Sequence, residues 1–161
     1  MSGRAGMLSA VVKSSPEGVI LARLRSDSLS RVRRAVSKIH WFLVASSTLV
    51  PEQQQTVARA VREGGSLQTV TTARIIQELR LKSYALKDES LRIRTELFSR
   101  SEINLHLIVT ETHLFLALPR LDRTYDLENI IISKDPQALE WGKLLFLYFQ
   151  SSAEKVDLTT F

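Results

Sequence analysis

Asp135-Pro136-Gln137-Ala138-Leu139-Glu140-Trp141-Gly142-Lys143-Leu144-Leu145-Phe146-Leu147-Tyr148-Phe149 is the stretch on which the reading of this chain turns. Aspartate followed by proline is a strong helix start. The carboxylate accepts from the first free N–H groups, and the N–H that proline lacks is not needed there. Ala138, Trp141, Leu145 and Phe149 then recur at helical spacing, with Leu144 and Tyr148 beside them. The spacing predicts a terminal helix that docks an aromatic stripe on a sheet. It assigns Trp141, Leu145 and Phe149 to the core. Phe146 or Tyr148 is left for an interface, because a helix apolar around most of its girth needs more than one covering partner.

Upstream, residues 104–109 and 112–118 flank Thr110-Glu111 and read as an antiparallel hairpin. If Val109 pairs with Thr112, then Leu105, Leu107, Val109, Leu114 and Leu116 share one face. His106, Ile108, His113 and Phe115 share the other. An acidic connector, 122–129, follows the hairpin, and 122–132 reads as a loop with at most a short strand at its end.

Further back, His40-Trp41-Phe42-Leu43-Val44-Ala45 is a continuous apolar run bounded by Ser46-Ser47-Thr48. Such runs suit a strand buried on both faces. A helix over 51–63 follows, stopped by Gly64-Gly65, and 67–71 is the next strand. Strand, helix and strand at this spacing form a right-handed βαβ unit. Residues 73–87 read as a second helix, with Ile75, Ile76, Leu79, Tyr84 and Leu86 inward. Strict alternation over 91–97 predicts a half-buried strand.

Pro16-Glu17-Gly18 is a turn signal. Residues 1–17 read as a flexible N-terminal arm, and 19–39 as a basic linker helix opening a single domain, 18–161. The expected fold is α/β: a three-layer sandwich with a mixed sheet of about five strands. Its βαβ unit is followed by an antiparallel hairpin and a C-terminal helix.

At 161 residues the chain fits one domain with a real core. It has no cysteine, which removes disulfides, thiolate zinc sites and a cysteine nucleophile, and agrees with a cytoplasmic location. No apolar run approaches the roughly 20 residues that span a bilayer, so no membrane partner is expected. The net charge of +5 is unevenly placed. Up to His40 there are eight basic residues against two acidic ones, while the rest holds 14 against 15. Arg31, Arg33, Arg34 and Lys38 lie in that basic quarter and suit phosphate contacts as well as a solvated helix face.

From about Arg31 to its end the chain resembles the effector domain of TrmB-like archaeal transcription regulators. The resemblance rests on Pro51, Gly64-Gly65, Leu116 to Pro119, Asp122, Tyr125-Asp126 and, above all, Asp135 to Tyr148. It implies a non-enzymatic, cytoplasmic regulatory module that binds a small-molecule effector, forms a homodimer, or both. Transcription would then be affected through DNA or a DNA-binding partner. Members usually carry a winged-helix domain ahead of this region, and the residues before Arg31 are too few to hold one. The family's effector domain is also similar to one half of the phospholipase D fold. Active members of that fold need His-x-Lys followed by Asp. Here His106 is followed by Ile108 where the lysine is needed and His113 where the aspartate is needed. No cofactor or metal is implied.

Ser46, Ser47 and Thr48 end the first predicted strand, and Thr71 and Thr72 end the second. Ligands of parallel α/β sheets bind at that edge, although serine and threonine also cap helices there. His106 and His113, on one hairpin face, suit a polar pocket wall; two histidines without a third ligand make a poor metal site. His40 simply leads into its strand. Glu102, Glu111, Asp122, Asp126 and Asp135 have loop or cap roles available and form no catalytic pair. No nucleophile triad or glycine-rich phosphate loop is present. The regulatory module therefore competes with a small basic nucleic-acid-binding protein and, less favoured, a phospholipase-D-like phosphodiesterase or nuclease.

Overall fold

The computed structural model describes residues 13–14, 19–23, 39–82, 85–127 and 129–161, with backbone alone for 13–14, 19–23 and 85. Nine strands among them form one sheet in the order β1-β2-β8-β7-β6-β3-β4-β5-β9. They are β1 (Lys13–Ser14), β2 (Val19–Arg23), β3 (Trp41–Ser46), β4 (Ser66–Thr72), β5 (Thr95–Arg100), β6 (His106–Val109), β7 (Leu114–Ala117), β8 (Asn129–Ser133) and β9 (Glu154–Lys155). Only β3, β4 and β5 run parallel to one another; every other pairing is antiparallel. The four α-helices among the described residues are α1 (Pro51–Arg62), α2 (Ala73–Lys82), α3 (Glu89–Arg92) and α4 (Pro136–Ser151).

The expected α/β layering is present. The crossovers β3-α1-β4 and β4-α2-β5 put α1 and α2 on the same side of the parallel strands, as right-handed connections require. On this side Phe42, Ile108, Phe115 and Ile130 pack with Ala60 of α1. The opposite face carries Ala45, Val70, Leu107, Val109, Leu114 and Leu116 against Phe146 and Phe149 of α4. Alternation along β3 sorts Phe42, Val44 and Ser46 to one layer and Trp41, Leu43 and Ala45 to the other.

Local chemistry sets several boundaries. Asp135 caps α4 by accepting from the N–H groups of Gln137 (2.7 Å) and Ala138 (3.3 Å), with Pro136 as the first helical residue. At the end of α1 the Gly65 N–H donates to the Ala60 carbonyl (2.9 Å) and the Gly64 N–H to that of Val61 (3.1 Å). This crossed pair of bonds needs a left-handed residue, and Gly64 supplies it with φ 114°.

Four expectations need correction. Residues 19–23 are strand β2, not the start of a helix, because they pair with β8 from Val19↔Ser133 to Arg23↔Asn129. Lys13–Ser14 of the expected arm pairs with β2. The alternation over 91–97 does not mark one strand. Asp88 accepts from the Ser90 N–H (3.0 Å) and starts α3, so β5 begins only at Thr95. The sheet has more strands than the expected five or so, because these edge pieces and β8 join it.

The buried stripe of α4 is also rotated from its expected position. Gly142, Phe146 and Phe149 face the sheet, while Trp141 is 49% exposed. Gly142 explains the rotation: a Cβ there would stand 2.5 Å from Leu114 Cδ1 and 2.9 Å from Val109 Cγ2. The helix approaches the β6–β7 hairpin along its glycine, a residue that a search for large apolar side chains passes over.

Candidate functional site

Ser46, the last residue of β3, is the centre of a buried polar cluster. It pairs in register with His106, the first residue of β6. Its Oγ lies 2.7 Å from His106 Nδ1 and also accepts from the Thr48 N–H at 3.1 Å. Its carbonyl accepts from Thr71 Oγ1 of β4 at 2.7 Å. The other imidazole nitrogen, Nε2, stands 2.8 Å from Oε1 of Gln53, on the first turn of α1. Ser46, Thr71 and His106 are each at most 4% exposed. Burial pushes the His106 imidazole down to about 4, so the ring is neutral near pH 7. With Gln53 Oε1 accepting from Nε2–H, the Ser46 hydroxyl has one proton for two acceptors, Nδ1 and the Thr48 carbonyl.

This cluster forms a buried polar end of a cavity of about 750 Å³ between the sheet and α1, α2 and α3, whose lining also includes Arg62, Glu78 and Lys82. Val57 and Val61 of α1, Ile75 and Leu79 of α2, Leu91 of α3 and Leu97 of β5 supply apolar wall. Ser46, Thr48, Thr71 and His106 all line it.

The remaining expected residues do not join them. Ser47 hydrogen-bonds the hydroxyl of Tyr125, which donates to the Ile103 carbonyl (3.1 Å), and the Ser47 carbonyl accepts from Arg74 (3.0 Å). Thr72 is outside the cavity lining. The two histidines are not diagonal neighbours. His106 opens β6, whereas His113 lies beside the turn, its carbonyl bonded to the Thr110 N–H (2.9 Å). Four strand residues separate them along the hairpin, about 13 Å at 3.3 Å per residue. The cause is register: Val109 pairs with Leu114, not Thr112. A shift of two leaves every side chain on its expected face while moving the histidines apart. His113 instead stacks on Phe115, with ring centroids 5.6 Å apart. Arg31, Arg33, Arg34 and Lys38 lie outside the described residues.

Helix capping does not explain the hydroxyls after β3. The N-cap of α1 is Val50, which makes no side-chain cap. The carboxylates do have local roles: Asp122 accepts from Thr124, Asp126 from Asn129 and Arg120, and Glu111 from the His40 N–H. Gln53 was not singled out by sequence, since a lone glutamine in a polar first turn carries no signal. Among the described residues no group of three or more metal-ligating side chains comes together, and no helix is long and apolar enough to cross a membrane.

Residues 26–152 match the family described as the middle domain of the methanogenesis regulatory protein FilR1. The chain is 28% identical over 157 residues to the FilR1 protein of Methanothrix harundinacea (strain 6Ac). That match takes in 92% of this chain and 33% of the relative, so the chain spans about a third of the relative's length. Among solved structures it is similar to TrmBL2, described as an archaeal chromatin protein with a novel mode of DNA binding. The TM-score is 0.67 at 20% identity, over 91% of this chain and 57% of that one. It is also similar to NucT from Helicobacter pylori, with TM-score 0.56, 10% identity, and 81% and 91% of the two chains covered. Nuc from Salmonella typhimurium, a phospholipase D family member, aligns with TM-score 0.53 and 11% identity over 92% and 97%. The fold is thus that of TrmB-like effector domains and of phospholipase-D-like proteins.

Proposed function

The chain belongs to the family of the FilR1 middle domain, and on that premise we propose a non-enzymatic effector module that binds a small ligand beneath α1 and forms a homodimer. Kinship with a methanogenesis regulator supports a regulatory role. The observation that carries the ligand site is the Ser46–His106–Gln53 cluster at the end of the cavity. A helix residue and a sheet residue meet there through one hydrogen bond, so a ligand that takes either partner would be felt by α1. Both imidazole nitrogens of His106 are engaged inside the protein, by Ser46 and Gln53. That arrangement favours binding over phosphoryl chemistry.

The outward side of α4 supports self-association. Leu144 and Tyr148 are 59% and 62% exposed, beside Trp141 and Leu147. Aromatic residues clustered in this way are common at the centre of interfaces. The output we propose is transcriptional, through DNA directly or through a DNA-binding partner, with Arg31, Arg33, Arg34 and Lys38 as the phosphate-contacting candidates. Ser46, Thr48, Thr71 and His106 are the proposed ligand-binding residues, joined by Gln53.

Thermal melts of the 161-residue chain against sugars, nucleotides and small amphiphiles test the ligand site. A specific binder raises the midpoint in a saturable way, by mass action. The rise should be lost or reduced in Ser46→Ala. Shifts from no class of compound, or shifts unchanged by that substitution, would count against the site.

A further inference from the structure

The chemistry of the cavity narrows what it can hold, given the ligand-site reading above. Its volume of about 750 Å³ lies within the range of small-molecule sites, about 300–1,000 Å³. Its long walls are aliphatic, from Val57, Val61, Ile75, Leu79, Leu91 and Leu97. Apolar surface makes up the larger part of the wall, so a sugar lying along it would leave some of its ring hydroxyls unpaired and stripped of water.

The polar end holds no charge. Ser46 and Thr71 are neutral and bonded within the protein. The charged lining residues have other partners or face solvent: Arg62 meets Asp88 at 3.2 Å, Glu78 meets Arg74 at 2.7 Å, and Lys82 is exposed. An anionic head at His106 would therefore be buried without a cation. The burial that keeps the imidazole neutral acts in the same direction.

Gln53 is the member of this cluster that comes from a helix. It is half-buried on the outer helix, and its carboxamide oxygen accepts at 2.8 Å from His106 Nε2. A neutral amide is thus already seated where a ligand head would sit. We propose that the cavity takes an uncharged amphiphile, with an apolar body along the α1–α2 walls and one neutral hydrogen-bonding head that replaces Gln53 on His106.

The test uses methyl and imidazole NMR of the 161-residue chain at neutral pH, titrated with hexanamide, hexanoate and glucose. Hexanamide should shift the methyls of Val61, Leu79, Leu91 and Leu97 and the His106 ring, saturably. It should bind at least ~10-fold more tightly than hexanoate, because an unpaired carboxylate resists burial. Gln53→Ala, which vacates the head position on an outer helix, should tighten hexanamide binding. Ala58 of α1 also lines the cavity, and Ala58→Phe, which fills it from that helix, should suppress binding. Hexanoate or glucose binding as well as hexanamide, with the same resonances moving, would overturn the ligand class and leave the site standing. Hexanamide shifts that spare His106 and survive Ala58→Phe would overturn the site itself. No saturable response to hexanamide would overturn the class assignment.

Discussion

His106 and Ser46 face each other across the seam where the parallel strands meet the antiparallel half of the sheet, with Nδ1 and Oγ 2.7 Å apart. Because β3 is parallel to β4 and antiparallel to β6, the C-terminal end of one strand lies beside the N-terminal start of another. Here the histidine ring spans from sheet to helix α1, and protonation at Nδ1 would turn that nitrogen from acceptor to donor toward Ser46 while leaving the Nε2–H bond to Gln53 in place. In the unfolded chain it titrates near 6.5; in the fold, burial pushes it down to about 4. Between those values the unfolded state holds more protons, so stability rises with pH. The contribution is complete above about pH 6.5 and is lost as pH falls toward 4, amounting to about 3 kcal/mol at 1.36 kcal/mol per unit. His113 is also lowered by burial, then by Lys134, and adds in the same direction. Urea denaturation of the native chain and His106→Gln between pH 4 and 7 separates the two. The variant's curve should be flatter, and equal slopes would refute the assignment.

Thr71 ties β4 to the same seam through its hydroxyl on the Ser46 carbonyl at 2.7 Å, and it is fully buried. Valine has nearly the same shape but no donor. Thr71→Val should therefore lose about 1–2 kcal/mol without creating a void. Chemical denaturation should show a lower midpoint with an unchanged slope, since the surface exposed on unfolding is the same. A stability gain would mean that the carbonyl is fully served by its ladder bond.

Gly142 is the close contact between α4 and the β6–β7 hairpin. Alanine is the better helix former, by about 1 kcal/mol. Its Cβ, however, would force Leu114 and the β-branched Val109 to move, and overpacking of this kind costs about 1–3 kcal/mol. The balance favours a net loss near 1 kcal/mol for Gly142→Ala, read as a lower midpoint in a thermal melt. A raised midpoint would show that the hairpin yields freely.

These predictions rest on elements of unequal visibility in the sequence. The cap of α4 was legible because Asp135 and Pro136 act within one helical turn, and the stop of α1 because Gly64 adopts a conformation that few other residues tolerate. The two faces of the hairpin were legible even with the register wrong by two, since side-chain direction depends only on parity. Strand β2 was not. Its apolar spacing fits a helix, and only the distant partner β8 makes it a strand. Within the site, hydroxyls at strand ends could be anticipated from topology, whereas Gln53 became visible only when α1 was seen over His106. The exposure of Trp141 on the solvent side of α4 is hidden for a third reason: the pattern of large residues does not reveal that Gly142 faces the sheet, although Phe149 is buried and Tyr148 exposed as expected.

That exposed side leads to the prediction most directly tied to quaternary structure. Leu144 and Tyr148 are four residues apart on α4 and sit on the solvent side with Trp141. Leu144→Glu and Tyr148→Glu remove apolar surface without entering the core, so each should change the stability of the monomer by no more than about 0.5 kcal/mol. If two copies meet along this stripe, a carboxylate at its centre would be buried opposite its symmetry mate and would face both desolvation and like charge. Sedimentation velocity over a concentration series should show a dimer for the native chain and a monomer for either variant. Tyr148 also receives the guanidinium of Arg100 over its ring at 5.2 Å, so Leu144→Glu, which leaves that contact in place, is the cleaner of the two. A native chain that sediments as a monomer at every concentration, or a dimer indifferent to both substitutions, would remove α4 as the interface.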